Sequence, residues 1–197
     1  MATQVRLFVS AAPAEDGARE LLGRALAEFP VNVGWIIKRT PDIDSVAECH
    51  LFALVLGRDI AAPVGLELWW ARRTEKPIMA YAAEGSRTPA CQVFLQDNLP
   101  LDWRAYGNLA GLRRAFLLDM SRFLLVHSER YGVTVVEVEI LRGFMSRLEK
   151  SAAASSGHEQ ADGSPLDKAL GAGGGGVILA PGKDTPRGAR VIGEDRS

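Results

Sequence analysis

Two cysteines, three histidines and a formal net charge of −1 in 197 residues each close off a class of function. Cys49 and Cys91 form no Cys-x-x-Cys pair, and His50, His127 and His158 share no metal-ligand spacing. A structural zinc site takes about four ligands, so no metal centre is expected. Two separated thiols without a secretory leader fit reduced cysteines in a cytoplasmic protein. The short run Val5–Ser10 follows one arginine and is broken at once by Ala11-Ala12-Pro13, which suits a first strand rather than a signal peptide. No apolar run approaches the ~20 residues of a membrane helix. The near-zero charge gives no bulk attraction to nucleic acid or to an anionic membrane. No required cofactor is indicated.

What remains is a globular composition, 47% hydrophobic, arranged in three zones. In residues 1–98, strand-like and helix-like stretches alternate. Val5–Ser10 reads as a strand. Ala18, Leu21, Leu22, Ala25, Leu26 and Phe29 recur at helical spacing over 14–29, and Pro30 ends that helix. Val31–Ile37 reads as a second strand, Asp42–Cys49 as a short helix, and Leu51–Leu56 as a third strand. A helix over Val64–Thr74 and a strand over Pro77–Ala82 follow, with Cys91–Leu95 as a fifth strand. Such a β-α-β order predicts an α/β fold, a flavodoxin-like three-layer sandwich around a parallel sheet of four or five strands. The near-continuous apolar runs fit strands covered on both faces. The strand order stays open.

Residues 99–150 read as a helical pair. Leu109, Leu112, Phe116, Met120 and Phe123 form one stripe, and Val135, Val138, Leu141, Met145 and Leu148 a second. Gly132 separates them, and Thr134 with Glu137 makes a capping-box pattern. The pair is expected to pack on the α/β domain, with a homo-oligomer or protein contact as the second use of its surface. Residues 151–197 hold half of the chain's 20 glycines and no aromatic residue. Such a segment buries too little surface to offset the entropy of ordering and reads as a disordered tail. Gly173–Gly176 lacks the Lys-Ser/Thr ending of a phosphate loop.

The stretch from His50 to Ala82 carries the chemistry. In open parallel sheets ligands bind beyond the carboxyl ends of the strands. Gly57, Arg58 and Asp59 end the third strand, and Glu67 follows at the start of the next helix. A first-turn acid is explained by the helix dipole alone, at about 0.3–1 kcal/mol. A glutamate at the mouth of the sheet can equally hold a ribose hydroxyl or stabilise a cationic sugar. Trp69 and Trp70 are about 100° apart on a helix, so one is expected in the core and the other at a rim or interface, with Trp70 a candidate to stack on a base. No Gly-x-Ser-x-Gly elbow supports Ser10, His50 and Asp59 as a hydrolase triad. A receiver domain would need an acidic pair where Ser10-Ala11-Ala12 stands.

The ordered set Arg6-Leu7-Phe8-Val9-Ser10, Leu51–Gly57 with Asp59, Gly65-Leu66-Glu67-Leu68 with Ala71, and Lys76-Pro77-Ile78 resembles the TIR-like and nucleoside 2-deoxyribosyltransferase-like superfamily. Within it, the set is most similar to the TIR-like domains associated with bacterial signalling ATPases. The resemblance implies a catalytic glutamate at Glu67 and a nucleotide pocket lined by Ser10, Gly57, Arg58, Asp59 and Trp70. It implies N-glycosidase activity on NAD or a nucleoside, in bacterial signalling or defence. The loop Ala11-Ala12-Pro13-Ala14 departs from the family pattern and motivates the alternative, a non-catalytic interaction module working through the helical pair and the tail.

Overall fold

The computed structural model describes residues 4–31, 35–38 and 43–156. They lie in one compact unit, Met1–Glu159. The elements run β1 (Val5–Ala11), a 3-10 turn (Pro13–Glu15), α1 (Asp16–Ala27), β2 (Trp35–Lys38), α2 (Ile43–Glu48), β3 (Leu51–Leu56), α3 (Ala62–Arg73), β4 (Ile78–Ala83), α4 (Pro89–Asp97), β5 (Trp103–Tyr106), α5 (Leu109–Val126), α6 (Ser128–Tyr131) and α7 (Val135–Ser156). The strands form one parallel sheet in the order β2-β1-β3-β4-β5. This is the flavodoxin-like order, with its switch point between β1 and β3.

Alternation along the central strands supplies two cores. Val5, Leu7, Val9 and Ala11 of β1 and Leu51, Ala53 and Val55 of β3 face α1, α5 and α7. Phe8, Phe52 and Leu54 face the other way, onto Val46 of α2 and Val64, Leu68 and Ala71 of α3. Phe8 and Phe52 are paired in register and stack with centroids 5.6 Å apart. With both faces covered, all six residues of β3 are buried, which is why the strand reads as an unbroken apolar run.

Two expectations change. Cys91–Leu95 lies in a helix, α4, because Thr88 and Pro89 start one. The Thr88 hydroxyl accepts from the Cys91 amide at 3.2 Å, and proline suits a first helical turn, where its missing N–H has no role. The fifth strand is instead Trp103–Tyr106, paired to β4, so the sheet runs past residue 98 and the expected domain boundary falls within it.

The helical pair packs on the sheet. Leu112, Phe116, Leu117, Met120 and Leu124 of α5 and Leu141 of α7 are buried in the first core. Val135 of the expected α7 stripe is exposed. The capping box forms: the Thr134 amide donates to Glu137 Oε2 at 2.8 Å and the Glu137 amide to Thr134 Oγ1 at 3.3 Å. Gly132, at φ +66°, closes α6 in the left-handed region where glycine costs least. Helix α7 continues to Ser156, into the zone expected to be disordered. The remainder of that tail, with Gly173–Gly176, lies outside the described residues. Among the described residues no helix is long and apolar enough to cross a membrane.

Candidate functional site

Ser10 is the penultimate residue of β1. It shares the parity of Phe8 and faces α3, where it is 1% exposed. Helix α3 begins at Ala62, since Pro63 fits its first turn. Glu67 therefore stands in the second turn, not at the helix start, and no acid occupies the first. Charge–dipole stabilisation falls off within one turn, so the dipole does not account for Glu67. The side chain turns toward the sheet, 8% exposed. Ser10 Oγ donates to its Oε2 at 2.5 Å.

Burial pushes the Glu67 carboxyl above the ordinary glutamate value; the Ser10 hydroxyl and the Arg19 guanidinium pull it back down. Arg19, on α1, donates from Nη1 to Asp16 Oδ1 at 2.6 Å and from Nη2 to the Ala11 carbonyl at 2.7 Å. Its Nε–H is buried without a partner. Arg19 and Glu67 line one cleft of about 170 Å³, together with Phe8, Ala11, Pro13, Pro63 and Val64. The cleft lies between the loop after β1 and the start of α3, at the switch point where ligands bind in such sheets. It is smaller than the ~300 Å³ at which small-molecule sites begin, room for a fragment of such a ligand and not for the whole.

The other expected residues divide. Gly57 follows β3, and the Glu15 side chain lies against it so closely that a Cβ there would collide with the carboxylate. Arg58 and Asp59 are exposed and do not line the Glu67 cleft. Asp59 Oδ1 accepts from Thr88 Oγ1 at 2.7 Å and the Ile60 amide at 2.8 Å, and the Thr88 hydroxyl holds its carboxyl below the usual range. Arg58 Nη2 reaches Ser86 Oγ at 3.3 Å, and its carbonyl accepts from the Thr88 amide at 2.9 Å. These two residues staple the β3–α3 loop to the β4–α4 loop. Trp70 packs against the Phe8–Phe52 core with its indole N–H buried and unpartnered, and it is not among the cleft residues. Trp69 is exposed, with the Arg73 guanidinium 5.4 Å from its ring centroid.

Arg19 was not legible as a cleft residue. In sequence it is one charge on the polar face of an amphipathic helix, with the ordinary i,i+3 partner Asp16.

A larger cleft, about 290 Å³, opens at the opposite end of the strands between Leu51, Ile78, Arg104, Asp119, Arg122 and His127. Its buried carboxylate is already engaged. Asp119 accepts from Tyr81 Oη at 3.0 Å and Arg104 Nε at 2.8 Å, and Arg122 Nη1 lies 3.4 Å away. This network ties β4, β5 and α5 together, and we assign it to the fold. Among the described residues no group of His, Cys, Asp or Glu could hold a metal ion.

No protein-family model matches the chain, and no curated protein does. Among solved structures the chain is similar to a CMP N-glycosidase of Clostridium botulinum, BcmB, at 23% identity and a TM-score of 0.42, over 55% of this chain and 96% of that one. It is also similar to a flavodoxin from the domain Archaea, at 11% identity and a TM-score of 0.36, over 71% of this chain and 99% of that one.

Proposed function

We propose that this domain binds a nucleoside or nucleotide at the carboxyl edge of its sheet and hydrolyses the N-glycosidic bond, with Glu67 as the catalytic carboxylate. The observation that carries the proposal is a buried glutamate that accepts a hydrogen bond from a serine hydroxyl, inside a cleft at the switch point. Keeping a carboxylate there costs stability, because burial disfavours its ionised form. Neutral glutamine would avoid that cost. Perturbed acids in clefts mark sites where the charge itself is used.

The use follows from the reaction. As the bond between C1′ and the base nitrogen lengthens, the base leaves with the bonding electron pair and positive charge develops on C1′ and the ring oxygen. A fixed carboxylate in a water-poor cleft stabilises that charge strongly, since little solvent screens it. Water then adds to C1′; the proton it releases goes to the departing base of a nucleoside, and to solvent where the leaving group is the neutral nicotinamide of NAD. Ser10 fixes the orientation of the carboxylate, and Arg19 biases it toward the ionised form the reaction needs. The resemblance to TIR-like sequences supports NAD among the substrates and a cytoplasmic place in bacterial signalling or defence.

The test is release of free base from nucleosides, their 5′-monophosphates including CMP, and NAD, followed by chromatography. Glu67→Gln should lower kcat/KM by at least about a hundredfold, the scale of a lost electrostatic stabiliser. Equal release by wild type and variant would remove Glu67 from the mechanism.

A second reading, an interaction module without chemistry, is favoured by Val126, Val135, Val136 and Ile140, which stay exposed on α5 and α7. On that reading light scattering detects a dimer that Val136→Glu abolishes; a monomer at high concentration speaks against it.

A further inference from the structure

The Asp119 network holds β4, β5 and α5 together, but the cleft it borders has features that this role does not use. Helix α5 brings Asp119, Arg122, Phe123 and Val126 to the cleft at the three- and four-residue spacing of one helix face. The buried Asp119 carboxylate holds two guanidinium groups, Arg104 Nε at 2.8 Å from Oδ2 and Arg122 Nη1 at 3.4 Å from Oδ1. One cation neutralises one carboxylate, and the second leaves a positive charge on the cleft wall. Glu149 comes only to 3.7 Å from Arg122 Nη2, with both side chains about half-exposed, where an ion pair contributes little. Asp102 also lines the cleft, but it is exposed and in no ion pair among the described residues, so solvent screens it.

Arg104 is engaged along one edge. Its Nε meets Asp119, and among the described residues Nη1 and Nη2 meet no protein acceptor. The side chain is 37% exposed and lines the cleft. A guanidinium pinned through Nε holds its remaining pair of N–H groups in a fixed plane, and that fork matches the two oxygens of a carboxylate. The rest of the lining is mainly apolar, with Leu51, Ile78 and Met79 from the strands and Phe123 and Val126 from the helix. At about 290 Å³ the space stands at the lower limit of small-molecule sites, whose usual form is an apolar lining with a few convergent polar groups.

We propose that this cleft is a second ligand site, one that takes a small carboxylate carried on a compact apolar body. Arg104 binds the carboxylate, and the wall of Leu51, Ile78 and Met79 covers the body. Asp119 is a positioning residue, which fixes the plane of the Arg104 fork without touching the ligand. The site lies at the opposite end of the strands from Glu67 and carries no step of base release.

The test is calorimetric binding of benzoate, benzamide, benzamidine and acetate to the full-length protein. The first three share a shape and differ in charge, while acetate keeps the charge and lacks the ring. Benzoate should bind at least about tenfold more tightly than each of the others, the scale of a hydrogen bond to a charged group. Arg104→Lys keeps the charge but loses the fork, and should weaken benzoate at least about fivefold while benzamide stays within about twofold. Circular dichroism checks the fold of that variant. Val126, 77% exposed, permits a gain: Val126→Lys adds a cation beside the cleft and should tighten benzoate about threefold, a change that no damage to the fold can produce. In an NMR titration benzoate should shift the imidazole signals of His127, which lines the cleft, with His127→Gln to assign them. Glu67→Gln should leave benzoate binding unchanged. No benzoate binding up to about 10 mM, equal affinity for benzoate and benzamide, or silence of His127 overturns the proposal. So does benzoate binding that neither Arg104→Lys nor Val126→Lys alters. Binding that Arg19→Gln abolishes would put the probe in the Glu67 cleft and overturns it as well.

Discussion

Ser10→Ala isolates the hydrogen bond on which the candidate site depends. The residue is buried on β1, and alanine preserves the strand while deleting only the hydroxyl that donates to Glu67 Oε2 at 2.5 Å. A hydrogen bond to a charged group contributes about 1.5–3 kcal/mol, and a neutral one about 0.5–1.5 kcal/mol. Which range applies depends on the protonation of Glu67. Burial holds its folded pKa above the ordinary 4.5, so the folded chain takes up this proton more readily than the unfolded one. The resulting stability is fully present below 4.5 and is lost as pH rises through the folded value. Ser10 opposes the shift by favouring the ionised form. Removing it raises the folded pKa further and steepens the loss. The cost of Ser10→Ala is thus expected near 1 kcal/mol at pH 4 and near 2 kcal/mol at pH 8, on the scale of these bond contributions. With a urea slope of about 2 kcal/mol/M, the midpoint at pH 8 falls by about 1 M. Urea titrations of both proteins from pH 4 to 8 supply the comparison. A gap that is flat with pH, or below about 0.5 kcal/mol, would show that the hydroxyl does not serve an ionised carboxylate. In the active protein the same change should move the acid limb of the kcat/KM profile to higher pH.

Two further outcomes probe the frame around the site. Leu141→Ala should cost about 2–4 kcal/mol in chemical denaturation, because Leu141 is fully buried in the core that α7 shares with the sheet; a loss below about 1 kcal/mol would mean that α7 is not held there. Asp119→Ala should cost about 2–3 kcal/mol by stranding the buried Tyr81 hydroxyl and releasing Arg104. Base release should stay within about twofold of wild type, since an interaction absent from the reacting groups leaves kcat/KM unchanged; a large fall in the folded variant would place the far cleft in the chemistry.

The sheet was legible where burial on both faces removed polar residues from the strand. Leu51–Leu56 and Val5–Ser10 carry that signal, and the stripe of α1 carries the helical one. The Thr134–Glu137 box announced α7 because capping is local chemistry. Legibility failed where a local trigger overrode composition. Cys91-Gln92-Val93-Phe94-Leu95 has strand-like residues, but the Thr88 hydroxyl and Pro89 begin a helix two residues earlier. It failed again at Trp103–Tyr106, a four-residue edge strand whose side chains are mostly half-exposed and leave little apolar pattern. Strand order is set by crossovers between distant segments, to which no single stretch of sequence is sensitive.

At the site, position along the chain and direction of the side chain proved separable. An acid that ends a parallel strand looks the same in sequence whether it turns into the crevice or toward a neighbouring loop. Asp59 turns to Thr88, a partner 29 residues away, and becomes a staple. Trp70 was ambiguous for a similar reason, since the helix phase fixes which of two adjacent indoles enters the core only once the helix start is known. Glu67 faced two accounts, and its place in the helix removes the dipole one. The dipole account requires an acid in the first turn, at little cost and open to solvent. Glu67 stands in the second turn, 8% exposed, with a serine hydroxyl from a strand 57 residues away donating to it. A carboxylate so placed gains nothing from the helix end and loses hydration, and this unoffset cost is the ground on which we propose a use of its charge in the cleft it shares with Arg19.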